Sequence, residues 1–248
     1  MRLLVTRPLP DAERTAARLR TAGHTVLVQP LLAITFSPAP AEVPPPAALL
    51  VTSQNGIRAL AQWPQAPACR RTPVFAAGVA TAGEATAFGF SDVRVAAGDA
   101  GSLADTVEAA IAPGAGPLVY PAARDRAGWF ADTLTTRGYD VNIIEAYRAD
   151  VAPRFDEAVR AALVTGGVEG VLLYSRRTAD AFAQLARAAA IGDRLAGVDY
   201  FVLSGEVADG LAALPGRIHV AARPDEDSLV ALIPAAGVTF AAFGRPAD

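Results

Sequence analysis

Residues 48–63, ALLVTSQNGIRALAQW, decide the fold. The apolar run Ala48–Thr52 predicts a short buried strand, and the segment from Ser53 to Trp63 predicts a helix that follows it directly. Similar pairs of strand and helix signals alternate along the whole chain. This alternation predicts βαβ units and therefore an α/β fold, in which helices cover both faces of parallel sheets.

The alternation extends to both sides of this stretch. Further apolar runs predict strands over Leu3–Thr6, Thr25–Phe36, Pro73–Ala77, Val93–Ala96, Leu118–Pro121 and Val141–Ala146. An arginine-rich amphipathic pattern predicts a helix over Asp11–Thr21 that Gly23 ends, and a second helix is predicted from Thr81 onward. Ser102 is predicted to open another helix, because Asp105 three residues later completes a capping box.

The second half of the chain repeats motifs of the first half in the same order. The matched pairs are Gly23-His-Thr-Val with Gly138-Tyr-Asp-Val, Val51-Thr-Ser-Gln with Leu173-Tyr-Ser-Arg, and Val95-Ala-Ala with Val220-Ala-Ala. We therefore expect two copies of one α/β unit. The copies form either consecutive domains that divide near Gly114, or lobes between which the chain crosses twice, near residues 33–46 and 146–156.

The composition excludes several kinds of site. The chain has no lysine, which removes the P-loop lysine, Schiff-base chemistry and any lysine general base. His24, His219 and Cys69 are the only residues of their types, so no His/Cys metal site is expected. A formal net charge of −3 argues against nucleic-acid binding, which usually shows a basic patch.

The hydrophobic content favours a soluble cytosolic protein. Hydrophobic residues make up 52% of the chain, which allows sizeable cores. No apolar run approaches the roughly 18 residues of a membrane helix. Arg7 and Pro8 interrupt the first apolar run, which is unlike a signal peptide, and the single cysteine agrees with a reducing compartment.

Six short motifs, taken in order, resemble those of uroporphyrinogen-III synthases. They are VTRP (residues 5–8), Val51-Thr-Ser-Gln-Asn, Ala77-Gly-Val-Ala-Thr-Ala, Gly98-Asp-Ala-Gly-Ser-Leu, Glu145-Ala-Tyr-Arg and Tyr174-Ser-Arg-Arg. The resemblance extends from Leu3 to about Ile233. It rests on the order and spacing of the motifs, because each motif alone is short.

The resemblance implies the second arrangement, with two flavodoxin-like lobes, a two-stranded connector and an active site in the cleft between the lobes. Lobe 1 would comprise residues 1–35 plus 157–248 and lobe 2 residues 47–146, with 36–46 and 147–156 as connectors. The implied reaction is a lyase reaction that needs no metal and no organic cofactor. Linear hydroxymethylbilane loses its terminal hydroxyl, the last pyrrole ring is inverted through a spiro intermediate, and the macrocycle closes as uroporphyrinogen III.

The resemblance also implies which residues form the site. The substrate is a polycarboxylate, and the main task of the enzyme is to hold it in a folded conformation. The implied catalytic residue is Tyr147, whose neutral phenol assists departure of the hydroxyl as water. The implied substrate-binding residues are Arg7, Ser53, Asn55, Thr81, Ser102, Arg124, Ser175 and Gly205, and Arg126 is a further carboxylate-binding candidate.

Most of these residues also have a purely structural interpretation. Ser53, Thr81 and Ser175 are typical of the first positions of helices, and surface arginines are usually only solvated. Tyr147 alternatively is a half-buried aromatic residue at the end of a strand. Val207 and Ala208 replace a threonine that related proteins often have near this position, which puts one hydroxyl contact in doubt.

Two other functions remain open on sequence alone. The chain is alternatively a non-catalytic, two-lobed cytosolic protein that binds a small polycarboxylate, or a paralogue that has lost activity. For the enzyme we expect a monomer that receives hydroxymethylbilane in a transient hand-off from hydroxymethylbilane synthase. We expect no nucleic-acid or membrane partner.

Overall fold

A computed structural model describes residues 1–96, 100–125 and 129–236 of the chain. Its strands are β1 (Arg2–Val5), β2 (Thr25–Val28), β3 (Leu32–Phe36), β4 (Ala48–Val51), β5 (Val74–Ala76), β6 (Val93–Val95), β7 (Leu118–Ala123), β8 (Val141–Val151), β9 (Gly170–Leu173), β10 (Asp199–Val202) and β11 (Arg217–Val220). Its α-helices are α1 (Asp11–Thr21), α2 (Gln54–Leu60), α3 (Val79–Ala87), α4 (Ala100–Glu108), α5 (Trp129–Thr136), α6 (Glu157–Val164), α7 (Arg176–Ala188), α8 (Gly205–Asp209) and α9 (Glu226–Val230). Apart from the consecutive strands β2, β3 and β4, strands and helices alternate, which confirms the predicted α/β fold.

The chain forms two compact units. Unit 1 consists of Met1–Ala33 and the chain from Asp150 onward, and unit 2 consists of Ile34–Ala149. The boundaries fall inside β3 and β8, so the chain passes from one unit to the other within these two strands.

Unit 1 contains a five-stranded sheet of order β11-β10-β9-β1-β2, and its neighbouring strands are parallel. Unit 2 contains the sheet β3-β8-β7-β4-β5-β6, in which β8 through β6 are parallel. The five parallel strands occur in the same order in both sheets. Taken in order across the sheet, β11, β10, β9, β1 and β2 of unit 1 correspond to β6, β5, β4, β7 and β8 of unit 2. In both sheets the chain reverses its winding direction beside the matched strands β1 and β7, where α/β proteins of this kind bind ligands.

Apolar side chains are buried on both faces of each sheet. In unit 1, Leu4 packs with Phe182 and Tyr200 on one face, while Leu3 packs with Phe201 on the other. The central strands of unit 2 also send successive side chains to opposite cores. Parallel strands covered on both sides require such uninterrupted apolar runs, which is why the strand signals in the sequence are continuous and not alternating.

Three predicted elements differ in the structure. Thr25–Phe36 is not one strand, because the chain leaves β2 after Val28, passes Pro30 and begins β3 at Leu32. The strand that begins at Val141 continues to Val151 beside its neighbour β3, and just beyond the two strands Ala152 N–H donates to Leu31 O at 2.9 Å.

The capping box at Ser102 is also wrong. Helix α4 begins at Ala100, so Ser102 lies within the helix, where its carbonyl accepts a hydrogen bond from the Thr106 hydroxyl. The Asp105 carboxylate is bound by Arg137 at 2.7 Å and does not close a cap. Residues 97–99, at the start of the motif Gly98-Asp-Ala-Gly-Ser-Leu, lie outside the described residues.

Candidate active site

In unit 2, several predicted site residues follow parallel strands and therefore lie at the same edge of the sheet. Ser53 comes two residues after β4 and is the N-cap of α2, where its Oγ accepts a hydrogen bond from Gly56 N–H at 3.4 Å. This confirms the structural interpretation of Ser53 as a helix cap. A cap and an anion site draw on the same backbone N–H groups, so the two roles are compatible.

Ser53 also contacts the predicted catalytic residue. Its Oγ lies 2.7 Å from the hydroxyl oxygen of Tyr147, whose side chain is only 7% exposed. The prediction that Tyr147 ends its strand is wrong, because β8 continues for four more residues. Tyr147 is instead a buried residue within a strand and packs in a core of unit 2, so its structural interpretation still applies.

A β-bulge orients Tyr147. Strand β7 pairs Ala122 with Glu145 but Ala123 with Tyr147, so the register skips one residue of β8. Arg124 N–H then donates to the Tyr147 carbonyl at 2.8 Å and holds the strand beyond the bulge. Bulges redirect side chains and are frequent beside active sites.

An ion pair between Arg58 of α2 and Glu84 of α3 joins these two helices. Arg58 is buried and makes a two-point ion pair with Glu84, at 2.8 and 3.1 Å. The Asn55 Oδ1 accepts from the same guanidinium at 3.2 Å, so this predicted substrate-binding residue is partly engaged within the protein. Sequence reasoning missed this pair. The signal was an arginine within the otherwise apolar segment Gly56–Leu60.

Thr81 is the third residue of α3, which begins at Val79 after the N-cap Gly78. Its side chain is buried, and no side-chain hydrogen bond to another described residue is formed. The structural interpretation as an N-terminal helix position is therefore confirmed, and no other described residue engages the Thr81 hydroxyl.

An arginine that follows the carboxyl end of β7 already has a partner. The guanidinium of Arg124 binds the Glu145 carboxylate at 2.9–3.0 Å, and both side chains are about half exposed. Hydrogen bonding from Arg124 lowers the pKa of Glu145. Arg126 lies outside the described residues.

In unit 1, the equivalent serine also caps a helix. Ser175 Oγ accepts from Thr178 N–H at 3.2 Å and lies 2.8 Å from the Thr178 hydroxyl, at the start of α7. Gly205 opens α8, which is only five residues long, and its N-cap Ser204 makes no side-chain capping bond. Ser175 therefore resembles Ser53, whereas Ser204, before Gly205, does not cap its helix through its side chain.

Arg7, two residues beyond the end of β1, is engaged inside the protein. Its guanidinium lies 4.3 Å above the centre of the Tyr174 ring and contacts the carboxylates of Asp11 and Glu226 at 3.7 and 3.4 Å. Burial first, and then the negative charge of Glu226, raise the pKa of the Tyr174 phenol, so it remains a neutral donor. Sequence reasoning found Arg7 but missed its carboxylate partner Glu226.

The sequence model of the family described as uroporphyrinogen-III synthase HemD matches residues 13–231, well over half of the chain. The chain belongs to the uroporphyrinogen-III synthase family. The family catalyses a cyclising lyase reaction of tetrapyrrole biosynthesis, with hydroxymethylbilane as its substrate. Membership supports the enzyme over the non-catalytic binding protein.

Two solved uroporphyrinogen-III synthases share the fold. A mutant enzyme from Thermus thermophilus is 20% identical with a TM-score of 0.60, over 94% of this chain and 97% of that chain. The enzyme from Helicobacter pylori is 16% identical with a TM-score of 0.61, over 94% of this chain and 98% of that chain. A search of curated protein sequences found no significant match.

Two further observations bear on metals and membranes. Within residues 1–96, 100–125 and 129–236, no group of three or more His, Cys, Asp or Glu side chains is arranged to hold a metal ion. None of the helices in the described part of the chain is long and apolar enough to cross a bilayer.

Proposed function

We propose that this chain converts hydroxymethylbilane to uroporphyrinogen III with Tyr147 as the donor to the departing hydroxyl. The contact between Ser53 and Tyr147 carries the proposal. Ser53 Oγ accepts from Gly56 N–H, so its own hydrogen can be donated to the Tyr147 oxygen. In the proposed reaction the phenol donates its own hydrogen to the substrate.

The chemistry at this position is the loss of a hydroxyl group. The phenol donates its hydrogen to the terminal hydroxyl oxygen as the C–O bond breaks, water leaves, and a cationic azafulvene remains. The phenol regains its proton when the cyclised product loses one. Most of the rate enhancement then comes from holding the flexible chain in the conformation that leads to inversion of its last ring.

Substrate carboxylates are proposed to bind at the ends of the parallel strands in both units. Unit 2 would contribute Ser53, Asn55, Thr81, Ser102 and Arg124, and unit 1 would contribute Arg7, Ser175 and Gly205. The capping geometry supports this for Ser53 and Ser175, because helix N-termini attract anions. Arginine side chains also favour carboxylates, because a guanidinium group can form two parallel hydrogen bonds with one carboxylate.

The finer architecture is part of the proposal. We propose duplicated flavodoxin-like lobes, residues 1–35 plus 157–248 and residues 47–146, joined by two connectors, 36–46 and 147–156. The common order of five parallel strands supports the duplication. An active-site cleft between the lobes, a monomeric state, a cytosolic location and a hand-off from hydroxymethylbilane synthase rest on the family resemblance.

Product analysis tests the function. Hydroxymethylbilane generated enzymatically is supplied to the purified protein, and the uroporphyrinogen isomers are separated after oxidation. We expect the type III isomer. Uroporphyrinogen I alone, the product of spontaneous closure without inversion, would overturn the proposal and favour the binding protein or the inactive paralogue.

A further inference from the structure

A cluster of polar side chains surrounds Arg7 in unit 1, and the proposed mechanism uses only Arg7 itself. Glu226 is its centre. Its carboxylate contacts the Arg7 guanidinium at 3.4 Å, accepts a hydrogen bond from the Thr15 hydroxyl, and accepts another from the Tyr174 hydroxyl at 3.2 Å. One carboxylate thus joins the ends of β1 and β9 to helix α1.

The fold fixes the position of this carboxylate. Glu226 is the first residue of α9, whose N-cap Asp225 accepts from Ser228 N–H at 2.7 Å. Leu229, on the next turn of the same helix, is fully buried in a core of unit 1. The short helix is therefore anchored at its start and along one face, and Glu226 is held at the side of Arg7.

The contacts around Arg7 restrict its orientation. Asp11 contacts Nη2, Glu226 and Thr15 contact Nη1, and the Tyr174 ring covers one face of the guanidinium. The Arg7 side chain remains 15% exposed, so a ligand can still reach it. A guanidinium that is held in one plane loses less entropy when it binds a carboxylate.

We infer that Glu226 is a positioning residue that holds Arg7 ready for a substrate carboxylate and thereby determines the apparent affinity for the substrate. The inference rests on the proposed function, because it requires that Arg7 binds the substrate. Glu226 acts through Arg7 and takes no part in bond breaking. Its loss therefore raises KM and leaves kcat nearly unchanged.

The test compares Glu226→Ala and Glu226→Gln by steady-state kinetics with hydroxymethylbilane. We expect Glu226→Ala to raise KM about tenfold, the factor that corresponds to roughly 1.4 kcal/mol, with kcat within about twofold of wild type. Thr15 and Tyr174 bind Oε1 of Glu226, whereas Arg7 contacts Oε2. Glu226→Gln keeps one oxygen for the two hydroxyls but loses the charge and the acceptor that face Arg7, so its KM should rise nearly as much as that of Glu226→Ala.

Asp227→Ala is the matched control. Asp227 follows Glu226 on α9 and also pairs with α1, through Arg18 at 2.6 Å, but on the exposed surface. The Asp227→Ala variant removes the same charge from the same helix, and its KM should stay at the wild-type value. Thermal unfolding of all three variants shows whether each is folded at the assay temperature.

Three results would overturn the inference. They are a Glu226→Ala variant with unchanged KM, a variant with lower KM, which would mean that Glu226 competes with the substrate for Arg7, and an equal rise in Asp227→Ala. In each case a wild-type protein that still forms uroporphyrinogen III leaves the proposed function intact. A wild-type protein that forms only the type I isomer would overturn both.

Discussion

Ser53 Oγ and the Tyr147 hydroxyl lie 2.7 Å apart, although 94 positions separate the two residues in the chain. Ser53 is placed by the start of α2, and Tyr147 is placed by the bulge between β7 and β8. The contact therefore depends on two independent features of the fold, and each feature orients one hydroxyl.

Replacing the phenol tests this relationship. We expect Tyr147→Phe to lower kcat about tenfold, because it removes one hydrogen-bond donor from a site that works mainly by positioning. Tyr139→Phe is the control, since it removes an equally buried phenol that donates to Ile111 O at 2.6 Å elsewhere in unit 2. It should lower thermal stability and leave kcat unchanged. A Tyr147→Phe enzyme with wild-type turnover would contradict the assigned role.

Gly56 is required for helix α2 to approach β7. An added Cβ would lie 2.9 Å from the Pro121 carbonyl oxygen, which belongs to the backbone of β7 and cannot move easily. We expect Gly56→Ala to lower the free energy of unfolding by about 2 kcal/mol in urea titrations. Gly83→Ala, in α3 with open space around the new methyl group, should instead raise it by about 0.5–1 kcal/mol. The same sign for both variants would refute the steric argument.

The ion pair between Arg58 and Glu84 stabilises the packing of α2 against α3. Arg58→Ala leaves the Glu84 carboxylate largely buried without its partner, and we expect a loss of about 3 kcal/mol in the free energy of unfolding. A double-mutant cycle with Glu84→Ala should show that the two losses are not additive. Arg160→Ala, which breaks an exposed pair with Glu157, should have little effect. Additive losses at Arg58 and Glu84 would show that the pair has no coupling.

The sequence predicts those features of this site that depend on neighbouring residues. Ser53 and Ser175 follow apolar runs and precede helical patterns, and the preference of serine for N-caps is a local effect, so both caps could be predicted. The buried strands could be predicted for the same reason, because a sheet covered on both faces needs continuous apolar runs.

Contacts between distant residues could not be predicted in this way. Thr15 meets Glu226 across 211 positions, and β1 pairs with β9 across most of the chain. Periodicity indicates which face of an element is buried but not which element covers it, and this is why the two domain arrangements stayed open. The extension of β8 past Tyr147 depends on its pairing with β3, which is equally non-local.

Asp199 should make stability depend on pH at the acidic end. Burial by itself raises the pKa of Asp199, but hydrogen bonds from Arg217 and His219 outweigh it, so the pKa lies below its ordinary value. A carboxyl group whose pKa is lower in the folded state contributes stability above its unfolded pKa, about 4, and that contribution is lost as the pH falls through the folded value.

The variant Asp199→Asn checks this dependence. We expect a lower free energy of unfolding than wild type at pH 7, and a difference between the two proteins that shrinks steadily below about pH 4. Asp193→Asn, at an exposed position of the same unit, serves as the control and should follow the wild-type curve. A difference between Asp199→Asn and wild type that is constant with pH would contradict the assignment.

The passage of the chain through β3 and β8 has a consequence for folding during synthesis. Residues 34–149, which make up unit 2, leave the ribosome before any of the strands β9, β10 and β11, so unit 2 is complete while unit 1 has only β1 and β2. The inner edge of β1 stays without its partner β9 until more than 160 further residues have been made. Strand β1 thus waits for a partner that is synthesised much later, and during that interval its unpaired apolar edge exposes the nascent chain to aggregation.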